Sequence, residues 1–152
     1  MKSIFIDTDV FVMDLRYKRD KNFSSNQQFL DCLKKKKFKA VTSVFNVLEI
    51  FGIVSFNLSD AELLRLYEEF PKQYGVKFLF PADRTGELKY DFSRIFRNIQ
   101  KKQSLGDAQV AYVVEQFQNM VSTFVSWNAK HFAGKLPVPV MTPKEFLARG
   151  IK

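Results

Sequence analysis

KSIFIDTDV, residues 2–10, runs apolar through Ile4, Phe5 and Ile6 and then meets two carboxylates, Asp7 and Asp9. The run predicts a short central strand, Lys2–Ile6, with Asp7 at its C-terminal end. In open α/β sheets, ligand sites form beyond that edge. The alternative is that Asp7 or Thr8 merely caps a helix over Val10–Leu15, with Asp9 capping or in its first turn.

Working outward, three further apolar segments each deliver one polar residue. VFNVLEIFGI, residues 44–53, carries Glu49. SLGDAQVAYVVE, residues 104–115, carries Asp107. TFVSWNAKHF, residues 123–132, carries Asn128. Asn46, Glu49 and Gly52 share one narrow stripe on an otherwise apolar helix. Such a helix is expected to be mostly buried, with its polar stripe facing solvent or lining a pocket. Gly52 on the stripe points to a close approach by another segment. Asp107 stands three residues after Ser104, close to a capping-box spacing. Asn128 after a strand also suits a turn. Each residue thus has an ordinary explanation; their joint recurrence at element ends points to one shared site. Two unit charges ~4 Å apart repel by about 4 kcal/mol at an effective dielectric near 20. Converging carboxylates therefore call for a hard divalent cation.

The rest of the chain alternates strands and helices. Helices are expected over Ser24–Leu33, from after Thr42 to about Ser55, Ser59–Phe70 ending before Pro71, Glu87–Lys102, Ser104–Asn119 and from Thr142. Strands are expected at Ala40–Thr42, Val76–Phe80, Thr123–Ser126 and Val138–Met141. This order predicts an α/β domain with a parallel sheet covered on both faces, as a single domain over 1–152.

The net charge of +8 suits a polyanionic substrate or an acidic partner. One Cys and one His exclude an internal disulfide and a Cys/His zinc site. Cys32 reads as helix core packing and His131 as a packed or supporting residue. The apolar run in MKSIFI is too short for a signal peptide, and no stretch reaches the ~20 residues of a membrane span. A cytoplasmic protein is expected. No Gly-rich loop follows the first strand, which disfavours a Rossmann-type nucleotide binder.

The ordered set IDTDV, VLEIFG, LGDAQVA, VSWNAKHF and PVMTPKEFL resembles the PIN-domain family, most of all its VapC-type toxin ribonucleases. The resemblance spans Ile4 to Leu147. It implies a PIN-like α/β/α sandwich with a central parallel sheet of about five strands, and a Mg²⁺- or Mn²⁺-dependent endoribonuclease that hydrolyses RNA phosphodiesters. By position, Asp7, Glu49 and Asp107 would be the catalytic acids and metal ligands, with Asn128 and Asp9 as further or weaker ligands. Asn128 falls where many relatives carry a fourth acid, and His131 where they often carry Asp, so the second metal position has fewer or neutral donors.

RNA contacts are expected from Arg16, Lys18, Arg19 and Lys21 after the first acidic motif, and from Arg94, Arg97 and Lys101 on one helix face. That second face is more simply explained as solvated, with Asp91 paired to Arg94, so the first segment is the better candidate. The run KKKKFK, Lys34 to Lys39, reads as charge complementing a helix C-terminus. The resemblance also implies a cognate antitoxin and a homodimer, for which Phe56, Leu63, Leu66, Tyr67 and Phe70 could form a groove or simply pack as core. Two alternatives remain at this point: a PIN nuclease of rRNA or tRNA processing, and a catalytically inactive RNA- or protein-binding module.

Overall fold

A computed structural model describes residues 2–149; Met1 and residues 150–152, the ends of the expected 1–152 domain, lie outside them. In chain order the elements are β1 Ser3–Ile6, α1 Thr8–Arg16, α2 Phe23–Lys35, β2 Ala40–Ser43, α3 Val44–Val54, α4 Asp60–Tyr74, β3 Val76–Leu79, α5 Phe92–Gln100, α6 Leu105–Gln116, β4 Val121–Val125, α7 Ala129–Phe132, β5 Val140–Met141 and α8 Pro143–Ala148. The five strands form one sheet in the order β3-β2-β1-β4-β5, and all pairings are parallel. This is the α/β/α sandwich the sequence implied.

β1 is buried along its whole length because it is the middle strand and both faces are covered. Ile4 and Ile6 pack into one core with Val10 and Phe11 of α1, Phe29 of α2, Ile50 of α3 and Phe70 of α4. Phe5, between them, points the other way and packs with Ile95 of α5, Val113 of α6 and Phe124 of β4. The alternation of side chains along a strand divides one apolar run between two cores.

Several expected boundaries shift. α4 does not end before Pro71 but runs on to Tyr74. Phe70 and Tyr74 are both buried against Phe11, and that packing outweighs the backbone bond a proline removes. Gly75, at φ +65°, then ends the helix in the left-handed conformation. The helix expected from Glu87 starts only at Phe92. Asp83 gathers the chain before it, accepting from the backbone N–H of Thr85 and Glu87 at 2.7 and 3.1 Å, and Asp91 caps the true start through the N–H of Arg94. The strands expected at Thr123–Ser126 and Val138–Met141 lie at Val121–Val125 and Val140–Met141.

The expectation for α3 also needs correction. It is not mostly buried: Leu48 is 69% and Ile53 40% exposed, and Phe56 just beyond it is 90% exposed. A Cβ on Gly52 would meet no atom within 4 Å, so this glycine marks open space and not a close approach. Of the expected groove residues, Phe70 is core while Phe56 and Tyr67 remain at the surface.

Candidate metal centre

The sheet order turns back on itself at β1: β2 lies on one side and β4 on the other. The crevice outside the C-terminal ends of β1 and β4 is therefore the switch point of the topology, and the polar residues collect there. Asp7 directly follows β1, is 8% exposed and caps α1. Its Oδ1 accepts from the Thr8 N–H at 2.9 Å and from Asn46 Nδ2 at 3.0 Å; its Oδ2 accepts from the Ser126 hydroxyl at 2.7 Å. The capping explanation holds, and the same side chain lies at the sheet edge where a ligand site is expected.

Asp9 ties the site to the β4–α7 turn. Oδ1 accepts from the Trp127 N–H at 3.1 Å, and Oδ2 from the Asn128 N–H and the Ser126 hydroxyl, each at 3.0 Å. Glu49 projects from α3, and its Oε2 accepts from the Thr8 hydroxyl at 2.9 Å. Asp107 stands in the first turn of α6. Ser104 caps its N–H at 3.2 Å, but among the described residues its carboxylate takes part in no hydrogen bond or ion pair. Asn128 contributes only its backbone to Asp9; its side chain makes no cap for α7 and the residue is exposed. His131 is exposed on α7, which removes the packed alternative of the two expected for it.

Burial pushes the Asp7 carboxyl well above its ordinary range, and the charges of Asp9 and Glu49 push it further. Burial also raises Asp9, against the hydrogen bonds it accepts. Glu49 is raised by burial first, then by the charges of Asp107 and Asp9. Among the described residues no ion pair reaches any of these acids. Four carboxylates thus share one field without a counter-charge.

In kind, the donors fit a hard divalent cation: every group is an oxygen and the excess charge is negative. In placement they are not closed up, since among the described residues no three acidic, His or Cys side chains converge on one point that could hold a metal ion. Glu49 is held on Thr8, while Asp7 and Asp9 are held on Ser126.

The expected basic residues divide. Arg16 is tied back to the fold, donating from Nη2 to the Val54 carbonyl at 2.9 Å, while Lys18 and Arg19 are exposed. Arg94 pairs with Asp91 at 3.9 Å, as the solvated-face explanation has it. Arg94, Arg97 and Lys101 nonetheless line one cavity of about 350 Å³ with Lys135.

The sequence reading named neither Ser126 nor Thr8 as a site member, and gave Asn46 only as part of a polar stripe facing solvent or lining a pocket. Asn46 is fully buried, caps α3 reciprocally with Ser43, and spends its amide on Asp7 and on Thr8 Oγ1, both at 3.0 Å. The signal was there: Asp7, Ser43 and Ser126 each stand at or just past the C-terminal end of β1, β2 or β4.

No protein-family model matches the chain, and no curated protein does either. Solved structures do. FitAcB from Neisseria gonorrhoeae superposes with a TM-score of 0.60 at 19% identity, over 93% of this chain and 98% of that one. FitAB bound to a DNA fragment gives 0.59 at 18%, over 92% and 94%. VapBC2 from Rickettsia felis, bound to a DNA fragment from its promoter, gives 0.59 at 17%, over 91% and 97%. The ordered acidic motifs and this near-complete overlap agree on one architecture: the chain has the PIN-type α/β/α fold.

Proposed function

We propose that this chain is a metal-dependent endoribonuclease, the VapC-like toxin of a toxin–antitoxin pair. The observation that supports it is the gathering of Asp7, Asp9, Glu49 and Asp107 at the switch point of a parallel sheet with no cationic side chain among them. Asp7, Glu49 and Asp107 would hold Mg²⁺ or Mn²⁺, with Asp9 and Asn128 in supporting positions. Such an ion would polarise the scissile phosphate and lower the pKa of the attacking water.

The chain's own residues set the stage for that chemistry. Ser126 and Asn46 fix the Asp7 carboxylate from both sides. Asp9 locks the start of the β4–α7 turn, so Asn128 is presented at the rim. Thr8 fixes the Glu49 carboxylate by donating its hydroxyl to Oε2. Lys18, Arg19, Arg94 and Arg97 would meet the RNA backbone.

The exposed apolar residues of α3 and α4 suit protein partners, a cognate antitoxin and a second copy of the chain. No described helix is long and apolar enough to cross a membrane, and a toxin acting on cellular RNA would work in the cytoplasm. The test is cleavage of total RNA by the purified chain with Mn²⁺ or Mg²⁺, against EDTA and Asp107→Asn. Cuts that need the metal and vanish in the variant support the reading. Absence of cuts in every metal would favour an inactive binding module.

A further inference from the structure

The end of the sheet opposite the acids has the reverse character. Two adjoining cavities, of about 370 and 720 Å³, share Phe38, Ala40 and Gly75 in their walls. Lys34 and Lys37 line the first; Lys2, Lys39 and Lys77 line the second. All five lysines are exposed, and no Asp or Glu lines either cavity. Among the described residues none of the five takes part in an ion pair. They come from three separate places: the entry to β1, the last turn of α2 with its connection to β2, and the edge strand β3. Dipole compensation at the end of α2 accounts for Lys34. It does not account for Lys2, Lys39 and Lys77.

Without a bound cation the four carboxylates repel a polyanion, so basic surface away from the acids adds to its attraction. We propose that this lysine-lined surface is a second, backbone-reading site for the RNA substrate, gripping phosphates of a segment that lies beyond the cut. The inference rests on the nuclease reading for the identity of the ligand, but not on catalysis. The strands that separate the two ends have four residues in β1, β2 and β3, about 13 Å at ~3.3 Å per residue. The substrate would therefore be an RNA that continues past the cut far enough to reach this surface. Such contacts are read as charge, without base specificity.

The test is binding of a fluorescein-labelled RNA hairpin of tRNA size to the full chain in EDTA, where metal-dependent cleavage is off, followed by anisotropy over a range of KCl. The variant carries Lys34→Ala, Lys39→Ala and Lys77→Ala; all three side chains are exposed, and a melting curve checks the fold. A charge-matched control carries Lys72→Ala, Lys89→Ala and Lys144→Ala. The expected result is a Kd at least tenfold weaker for the first variant than for the control. Its log–log salt slope should be shallower by about two, at 0.7–0.9 per phosphate contact. Equal losses in both variants, or no RNA binding by the unaltered chain, would overturn the proposal. So would loss of binding to polyglutamate with RNA binding intact, which would assign the surface to an acidic protein. Lysine-dependent RNA binding in a chain that cleaves nothing would uphold this site while refuting the nuclease.

Discussion

Across 119 residues of chain, the Ser126 hydroxyl donates to Oδ2 of Asp7 at 2.7 Å. The same oxygen lies 3.0 Å from Oδ2 of Asp9. One proton serves two carboxylates in a fully buried position, so Ser126 holds together two groups that otherwise repel.

Replacing Ser126 by Ala should destabilise the metal-free chain by about 1–3 kcal/mol, the usual effect of leaving a buried polar group short of a partner. Urea denaturation measures it. RNA cleavage should fall as well, because Asp7 loses its fixed orientation. Wild-type stability with wild-type cleavage would show that the bond is incidental.

Asp7, Asp9 and Glu49 all have folded-state pKa values above their ordinary ones. At these three groups the native state therefore binds more protons than the unfolded state, and their contribution to stability falls as pH rises. The contribution is complete below about pH 4, the unfolded carboxylate value, and is lost through the raised native values. In EDTA, the stability of wild type minus that of Asp7→Asn should decrease from pH 5 to pH 8. Added Mn²⁺ should restore the wild type, and far less the variant, at pH 8. A difference that does not change with pH would contradict the sign argued here.

Arg16 and Arg19 stand three residues apart but should behave differently. Arg16 holds the C-terminal carbonyl of α3 at Val54. Arg16→Ala should lower stability by about 1–2 kcal/mol. Lys18→Ala with Arg19→Ala should leave the melting temperature unchanged and make the salt dependence of RNA affinity shallower. Thermal melts beside anisotropy titrations separate the two; a stable Arg16→Ala protein with weak RNA binding would restore Arg16 as a direct contact.

Phe56, at 90% exposure, and Leu48, at 69%, are costly to leave in water. Phe56→Glu with Leu48→Ser should weaken self-association without lowering the stability of the monomer. Light scattering coupled to size exclusion reads this directly. An unchanged mass at every concentration would move the interface to another face.

Much of the architecture was legible because the apolar runs are short and bounded. Ile4–Ile6 is too brief for a helix, and its neighbours supply the turn and cap residues. The acids at 7, 9, 49 and 107 were legible because a carboxylate inside an apolar segment is an anomaly in any sequence. What escaped depends on tertiary packing. Nothing local reveals that Tyr74 is buried and carries α4 past Pro71. The approach to α5, residues 80–91, escaped because Asp83 organises it through contacts to Thr85 and Glu87. Ser126 escaped because a serine at a strand end is unremarkable until β4 lies beside β1.

That pairing sets an order of events during synthesis. Chains leave the ribosome from the N-terminus, so Asp7 and Asp9 emerge more than a hundred residues before Ser126. Until β4 docks, β1 lacks one neighbour, and the acidic pair lacks the hydroxyl and the two backbone donors that hold it. A half-made chain thus carries the acids but not their arrangement, and the centre is assembled only as the last quarter of the polypeptide arrives.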